Sequence, residues 1–235
     1  MTAAVPGPIR RAVAELIGSG LLAAVVIGSG ISASRLSPGD VGLQLLENAL
    51  ATALALFVLI AVLAPVSGAH LNPVVSLVDA ALGYRPWRTV AVYVPAQVLG
   101  CIGGAVLANA MFGVVGVSLS GTHRATAPNL LSEVVATAGL VLVIFGLARS
   151  GRAAWTPAAV GAYIGAAYFF TASTSFANPA ITVGRMFSDT FAGIAPASAP
   201  GYVAAQLLGG VAGFFVVRFL YPKRSPHETV PTGRG

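Results

Sequence analysis

Charge is scarce in this sequence. Only 9% of its 235 residues are Asp, Glu, Lys or Arg, whereas a soluble globular domain carries about a quarter. Too few polar side chains remain to cover a water-facing surface, which excludes an ordinary soluble globule. Acidic residues number seven and histidines three. No nucleophile–base pair and no His, Cys or carboxylate cluster at metal-ligand spacing is found, which argues against an enzyme or a metal site. Cysteine occurs once, at Cys101, so a disulfide scaffold is excluded. What is abundant is apolar: 56% of residues are hydrophobic and the mean hydropathy is +0.85, which excludes a disordered chain. The remaining class is a polytopic membrane protein lying in a lipid bilayer, each helical span of which needs about 20 apolar residues.

The net charge of +6 invites a nucleic-acid reading. The placement of charge argues against it, because Lys and Arg sit in short segments between apolar runs. Spans are expected at 10–33, 44–64, 87–110, 128–148, 154–174 and 199–221. Two further apolar pieces, 73–82 and 179–190, are too short to cross, and each begins with Pro directly after Asn. They read as half-helices or interfacial segments. The expected organisation is a cytoplasmic segment over 1–9, a membrane-embedded body over 10–221, and a polar, disordered cytoplasmic tail over 222–235. A cleaved signal peptide is the alternative for the first apolar run, since Arg10 and Arg11 precede it and Ile31-Ser32-Ala33 offers small residues for cleavage. Against that, the run is long and carries Glu15.

The chain repeats itself, at about 10–110 and 128–221. Tyr93, Gln97, Gly100 and Gly104 align with Tyr202, Gln206, Gly209 and Gly213 at an offset of 109. Asn72-Pro73 aligns with Asn178-Pro179 at 106, and Glu15 with Glu133 at 118. Three spans per half is an odd number, so the second half enters the membrane from the opposite side and the repeat is inverted. The half-helices after Asn72 and Asn178 then point their N-termini at each other near the midplane. With both termini inside, ten of the thirteen basic residues fall on the cytoplasmic side: Arg10, Arg11, Arg85, Arg88, Arg149, Arg152, Arg218, Lys223, Arg224 and Arg234. Arg35 and Arg124 lie outside, and Arg185 lies in the second half-helix. That asymmetry sets the orientation in a cell membrane.

Asn is a strong N-cap, and Pro suits the first helical position. An Asn so placed uses its side-chain oxygen on backbone N–H groups and leaves its amide donors to face a lumen. Two positive helix ends meeting at mid-membrane oppose cations while offering hydrogen bonds to a neutral solute. The plainer alternative is a pair of loop caps outside the membrane.

At these residues the sequence resembles a known family. Ser67-Gly68-Ala69-His70-Leu71-Asn72-Pro73-Val74 and Ser175-Phe176-Ala177-Asn178-Pro179-Ala180 are similar to the two signature boxes of the aquaporin, or major intrinsic protein, family. Val74 departs from the usual Ala. The resemblance implies an all-α membrane protein of the aquaporin-like fold, with six transmembrane helices, two re-entrant half-helices and an inverted internal repeat. It further implies passive conduction of small neutral solutes with no cofactor, and a homotetramer with one pore per subunit. Glu15 and Glu133 would accept hydrogen bonds from the non-helical backbone leading into each half-helix, rather than relay protons. Carbonyls of Gly68, Ala69, His70, Thr174, Ser175 and Phe176 would line the pore. His70 has no partner at metal-ligand spacing.

The selectivity constriction departs most from the family pattern. Members usually carry Arg three residues after the second Asn; here that residue is Ile181. Family spacing assigns the other three positions to Thr52, Ala166 and Ser175. Such a ring is wide and mostly apolar. Arg185, one helical turn past Ile181, is expected to pair with Asp189 at i,i+4 and to take no part in the constriction. The segment 171–196 resembles a bacterial subgroup often encoded beside arsenic-resistance genes, which implies a bacterial inner membrane and solutes such as glycerol or arsenous acid. A water-selective channel is the alternative. A secondary transporter is a further rival, because inverted repeats and broken helices mark both classes.

Overall fold

Long apolar stretches that read as helix on every side have only lipid or other helices to pack against, and the chain resolves them into a helical bundle. The computed structural model describes residues 6–222. Residues 1–5 and 223–235 lie outside the described part, and with them nearly all of the tail expected to be disordered. The long helices are α1 (Pro8–Leu36), α2 (Val41–Ser67), α4 (Trp87–Met111), α5 (Ala127–Arg149), α6 (Thr156–Phe170) and α8 (Ala199–Leu220). The short ones are α3 (Pro73–Ala81) and α7 (Pro179–Arg185). Among the described residues, five helices, α1, α2, α4, α5 and α8, are long and apolar enough to cross a membrane.

Local chemistry sets the ends. Pro8 opens α1 within the segment expected to precede it, because the Gly7–Pro8 pair suits an N-cap and first turn. Asp40 caps α2 by accepting from the Leu43 N–H at 2.9 Å, and Thr126 caps α5 through Asn129. Two elements are shorter than their apolar runs. α6 stops at Phe170, where the Thr171 hydroxyl bonds back to the Ala167 carbonyl at 2.7 Å and the backbone turns extended. A single 3-10 turn, Ala153–Trp155, precedes it. α7 stops at Arg185 rather than near 190, because the segment between α4 and α5 captures the backbone that follows: the Ser120 N–H bonds the Met186 carbonyl, and the Asp189 N–H bonds the Ser118 hydroxyl.

The packing carries the repeat into three dimensions. With α1–α4 matched to α5–α8 in order, every helix contact has its mate. α1 on α4 is mirrored by α5 on α8, α1 on α2 by α5 on α6, and α3 on α4 by α7 on α8. The cross-contacts α4 on α7 and α1 on α7 are mirrored by α8 on α3 and α5 on α3. Only α2 on α6 and α3 on α7 pair with themselves, so they lie on the pseudo-two-fold axis. The aligned glycines fall at the two closest crossings. A Cβ on Gly100 or Gly104 would run into the Leu16 and Gly20 carbonyls of α1; one on Gly209 or Gly213 would meet Val134 and Val141 of α5. These small-residue faces let backbones touch where apolar lipid offers no drive to associate. α1 packs into the bundle against α2 and α4.

Candidate functional site: a lined cavity between two half-helices

Each half-helix is preceded by a loop that no sheet or helix ladder satisfies, so its N–H groups need other acceptors. Glu15, fully buried in α1, accepts from the backbone N–H groups of His70 (2.9 Å) and Leu71 (2.7 Å), from the Ser67 hydroxyl (2.6 Å), and from Gln97 Nε2 (2.7 Å). Glu133, fully buried in α5, accepts from Phe176 (2.9 Å) and Ala177 (2.8 Å) and from Gln206 Nε2 (2.7 Å). The same Gln amides donate onward, Gln97 to the Ser76 hydroxyl and Gln206 to that of Thr182. Those hydroxyls in turn bond the Asn72 and Asn178 carbonyls. Acid, amide, hydroxyl and cap thus form one chain of hydrogen bonds, built twice.

Backbone geometry repeats as closely. Gly68, Ala69 and Leu71 hold positive φ (92°, 48° and 49°), and so do Thr174, Ser175 and Ala177 (61°, 50° and 47°). Left-handed backbone costs a non-glycine residue roughly 1–2 kcal/mol, so the acids and caps that lock these loops offset a real strain. At the end of each loop, Asn72 (φ −158°) and Asn178 (φ −156°) leave extended backbone and start a helix. Asn72 Oδ1 accepts from Val74 N–H at 2.9 Å; Asn178 Oδ1 accepts from Ala180 and Ile181 at 3.0 and 3.3 Å. Contrary to the expectation from the sequence, the amide donors do not all face a lumen. One hydrogen of each is taken across the axis: Asn72 Nδ2 donates to the Ala177 carbonyl (2.7 Å), and Asn178 Nδ2 to the Leu71 carbonyl (2.8 Å). The second hydrogen of each remains for a visitor. Pro73, Val74, Pro179 and Ala180, which follow the caps, are buried.

These residues face a cavity of about 640 Å³. Gly68, Ala69, His70, Asn72, Ser175, Phe176, Asn178, Thr52 and Ile181 all lie in its wall, while Thr174 does not. Ala166 is also absent and must be corrected. On α6 the residues that line the cavity are Thr156, Pro157, Val160, Ile164 and Tyr168, four of them spaced every fourth residue; Ala166 falls on the opposite, exposed face. Tyr168 takes the place assigned to it and shares a 3.1 Å hydrogen bond with Thr52. The cavity wall therefore includes an aromatic hydroxyl beside Thr52. His70 packs edge-on to Tyr93, and its Nδ1 lies 3.0 Å from the Ser76 hydroxyl. At the far mouth Asp79, Tyr84 and Arg85 enter the wall, with Arg85 Nε 3.9 Å from Asp79.

Arg185 is the second correction. It is buried, lines the cavity and makes no ion pair with Asp189, which is outside α7 and accepts from the Gly121 N–H instead. Its guanidinium carbon lies 3.4 Å from the centroid of the Phe176 ring, and its Nε donates to the Ala192 carbonyl. Spacing carried the signal: 178, 181 and 185 recur on one face of a helix.

A family model described as major intrinsic protein matches residues 3–175. The aquaglyceroporin AqpS of Rhizobium meliloti (strain 1021) is 48% identical over 217 residues, which are 92% of each chain. Aquaporin Z of Rhodopseudomonas palustris is 31% identical, covering 91% of this chain and 94% of its own. Among solved structures, the aquaglyceroporin from Plasmodium falciparum superposes with a TM-score of 0.70 over 92% of this chain and 97% of that one. At 21% identity that is a likeness of fold. The chain belongs to the major intrinsic protein family. It is accordingly a membrane channel of the aquaporin fold, and not an enzyme.

Proposed function

We propose that the chain conducts water and small neutral polyols such as glycerol passively through the cavity between its two half-helices. The observation that carries this reading is the pair of cross-tied caps: Asn72 and Asn178 stand in one cavity wall, each with an amide hydrogen left over. A hydroxylated solute can accept from those hydrogens and donate to the strained loop carbonyls, while the apolar wall of Val26, Leu56, Ile60 and Ile164 gives it no stronger hold. Binding is thereby favourable enough for a solute to enter and weak enough for it to leave. Arsenous acid, a neutral trihydroxide at pH 7, presents the same donors and acceptors as a polyol and is proposed as a further solute. Support for a polyol over water alone comes from the relative named an aquaglyceroporin.

The protein would sit in a bacterial inner membrane with both termini cytoplasmic and assemble as a homotetramer, in keeping with its basic-residue asymmetry and its family. The apolar outer face of α2, including Leu50, Leu54, Phe57, Val58 and Val62, is free for lipid or a neighbouring subunit. The test is light-scattering flux in proteoliposomes. Glycerol permeation well above that of empty vesicles, linear with gradient and indifferent to counter-ions, supports the channel; saturation coupled to an ion gradient would mark a transporter.

A further inference from the structure

The position where this family usually carries its filter arginine holds Ile181, yet the cavity still has a cation. Arg185 is only 3% exposed, and it lines the same wall as Phe176, Asn178 and Ile181. Of its five N–H donors, one, on Nε, is taken by the Ala192 carbonyl. The four Nη hydrogens have no protein acceptor among the described residues, and no carboxylate pairs with the group there. A second guanidinium, Arg124, lies 5.7 Å from the same Phe176 ring and is held by the Gly193 and Phe191 carbonyls.

A purely bracing role accounts for the Nε bond and the aromatic contact. It leaves a buried, unpaired charge with four idle donors, an arrangement that is expensive unless something else meets them. The cavity is what they can meet. We infer that Arg185 is the cationic member of the selectivity constriction, supplied from one turn further along α7 than the usual position, and that it excludes cations while hydrogen-bonding neutral hydroxylated solutes opposite the Thr52–Tyr168 pair. This rests on the channel reading above. Phe176 is the positioning residue: its ring face fixes the guanidinium plane, as cation–π contacts do. The wide, uncharged ring expected from the sequence is thus replaced by one with a cation, an aromatic hydroxyl and the apolar Ile181.

The test is potassium leak and glycerol flux measured on the same phosphatidylcholine proteoliposomes. Arg185→Gln retains a side-chain N–H for Ala192 but removes the charge; it should raise potassium leak about tenfold or more, with glycerol flux still present. Arg185→Lys should keep the leak near that of the parent. An inserted, glycerol-conducting Arg185→Gln channel with parental leak overturns the inference, whereas a lowered melting temperature alone marks a brace. Should the Gln variant fail to insert, Arg185→His compares two charge states within one protein. Its leak should be low near pH 5, with the imidazolium charged, and high near pH 8. Arg124, Tyr168, Tyr202 and Glu133 are the charged or titratable neighbours of Arg185, so the parent over the same pH range is the control. A flat profile in the His variant overturns the inference. Absence of glycerol and water flux in the parent itself would instead refute the channel reading.

Discussion

Asn72 and Asn178 do two jobs with one amide each, capping their own helix and holding the other repeat's loop carbonyl. Asp in either place keeps the cap and loses the tie, setting a carboxylate against a buried carbonyl. Leaving such a carbonyl unsatisfied costs about 1–3 kcal/mol. Asn72→Asp and Asn178→Asp should therefore each lower the melting temperature in detergent and reduce glycerol flux, which paired scanning fluorimetry and liposome assays would register. Ile181→Arg should narrow the pore, since Ile181 is buried in the cavity wall one turn from Arg185. Glycerol flux should fall about tenfold while water falls less; equal losses would indicate blockage. At this scale the acids were legible in the sequence, because a carboxylate in an apolar helix must find donors. The inward face of α6 was not. Its sequence, TPAAVGAYIGAAYFF, is apolar on all sides, so nothing in it marks Tyr168 rather than Ala166 as the residue facing the cavity.

The half-helices were legible as elements because Asn-Pro starts a helix and the apolar run after it is too short to span. Their ends were not, since α7 is terminated by hydrogen bonds with Ser118 and Ser120, far away in sequence. The close crossings of α1 on α4 and α5 on α8 make a sharper prediction. Gly104→Leu puts a branched side chain against the Gly20 carbonyl and the Ala23 side chain. Overpacking of this kind costs about 1–3 kcal/mol or more. Gly103, with open space around its Cβ direction, is the control. Gly103→Leu should melt close to the parent and Gly104→Leu well below it.

For the whole molecule, the two-fold axis through α2–α6 and α3–α7 makes the halves interchangeable in plan but opposite in direction. Single cysteines at exposed positions 39 and 151 should then label from opposite sides of the membrane, and labelling from one side would refute the inverted arrangement. The cross-axis ties also bear on biosynthesis. The carbonyl partner of Asn72 is Ala177, 105 residues later. At ribosomal rates of about 5–20 residues per second, the first loop waits roughly 5–20 seconds before its latch has even been made. During that interval the nascent first half sits in the bilayer with its signature segment unfastened, open to quality-control proteases that would find no purchase on the finished protein.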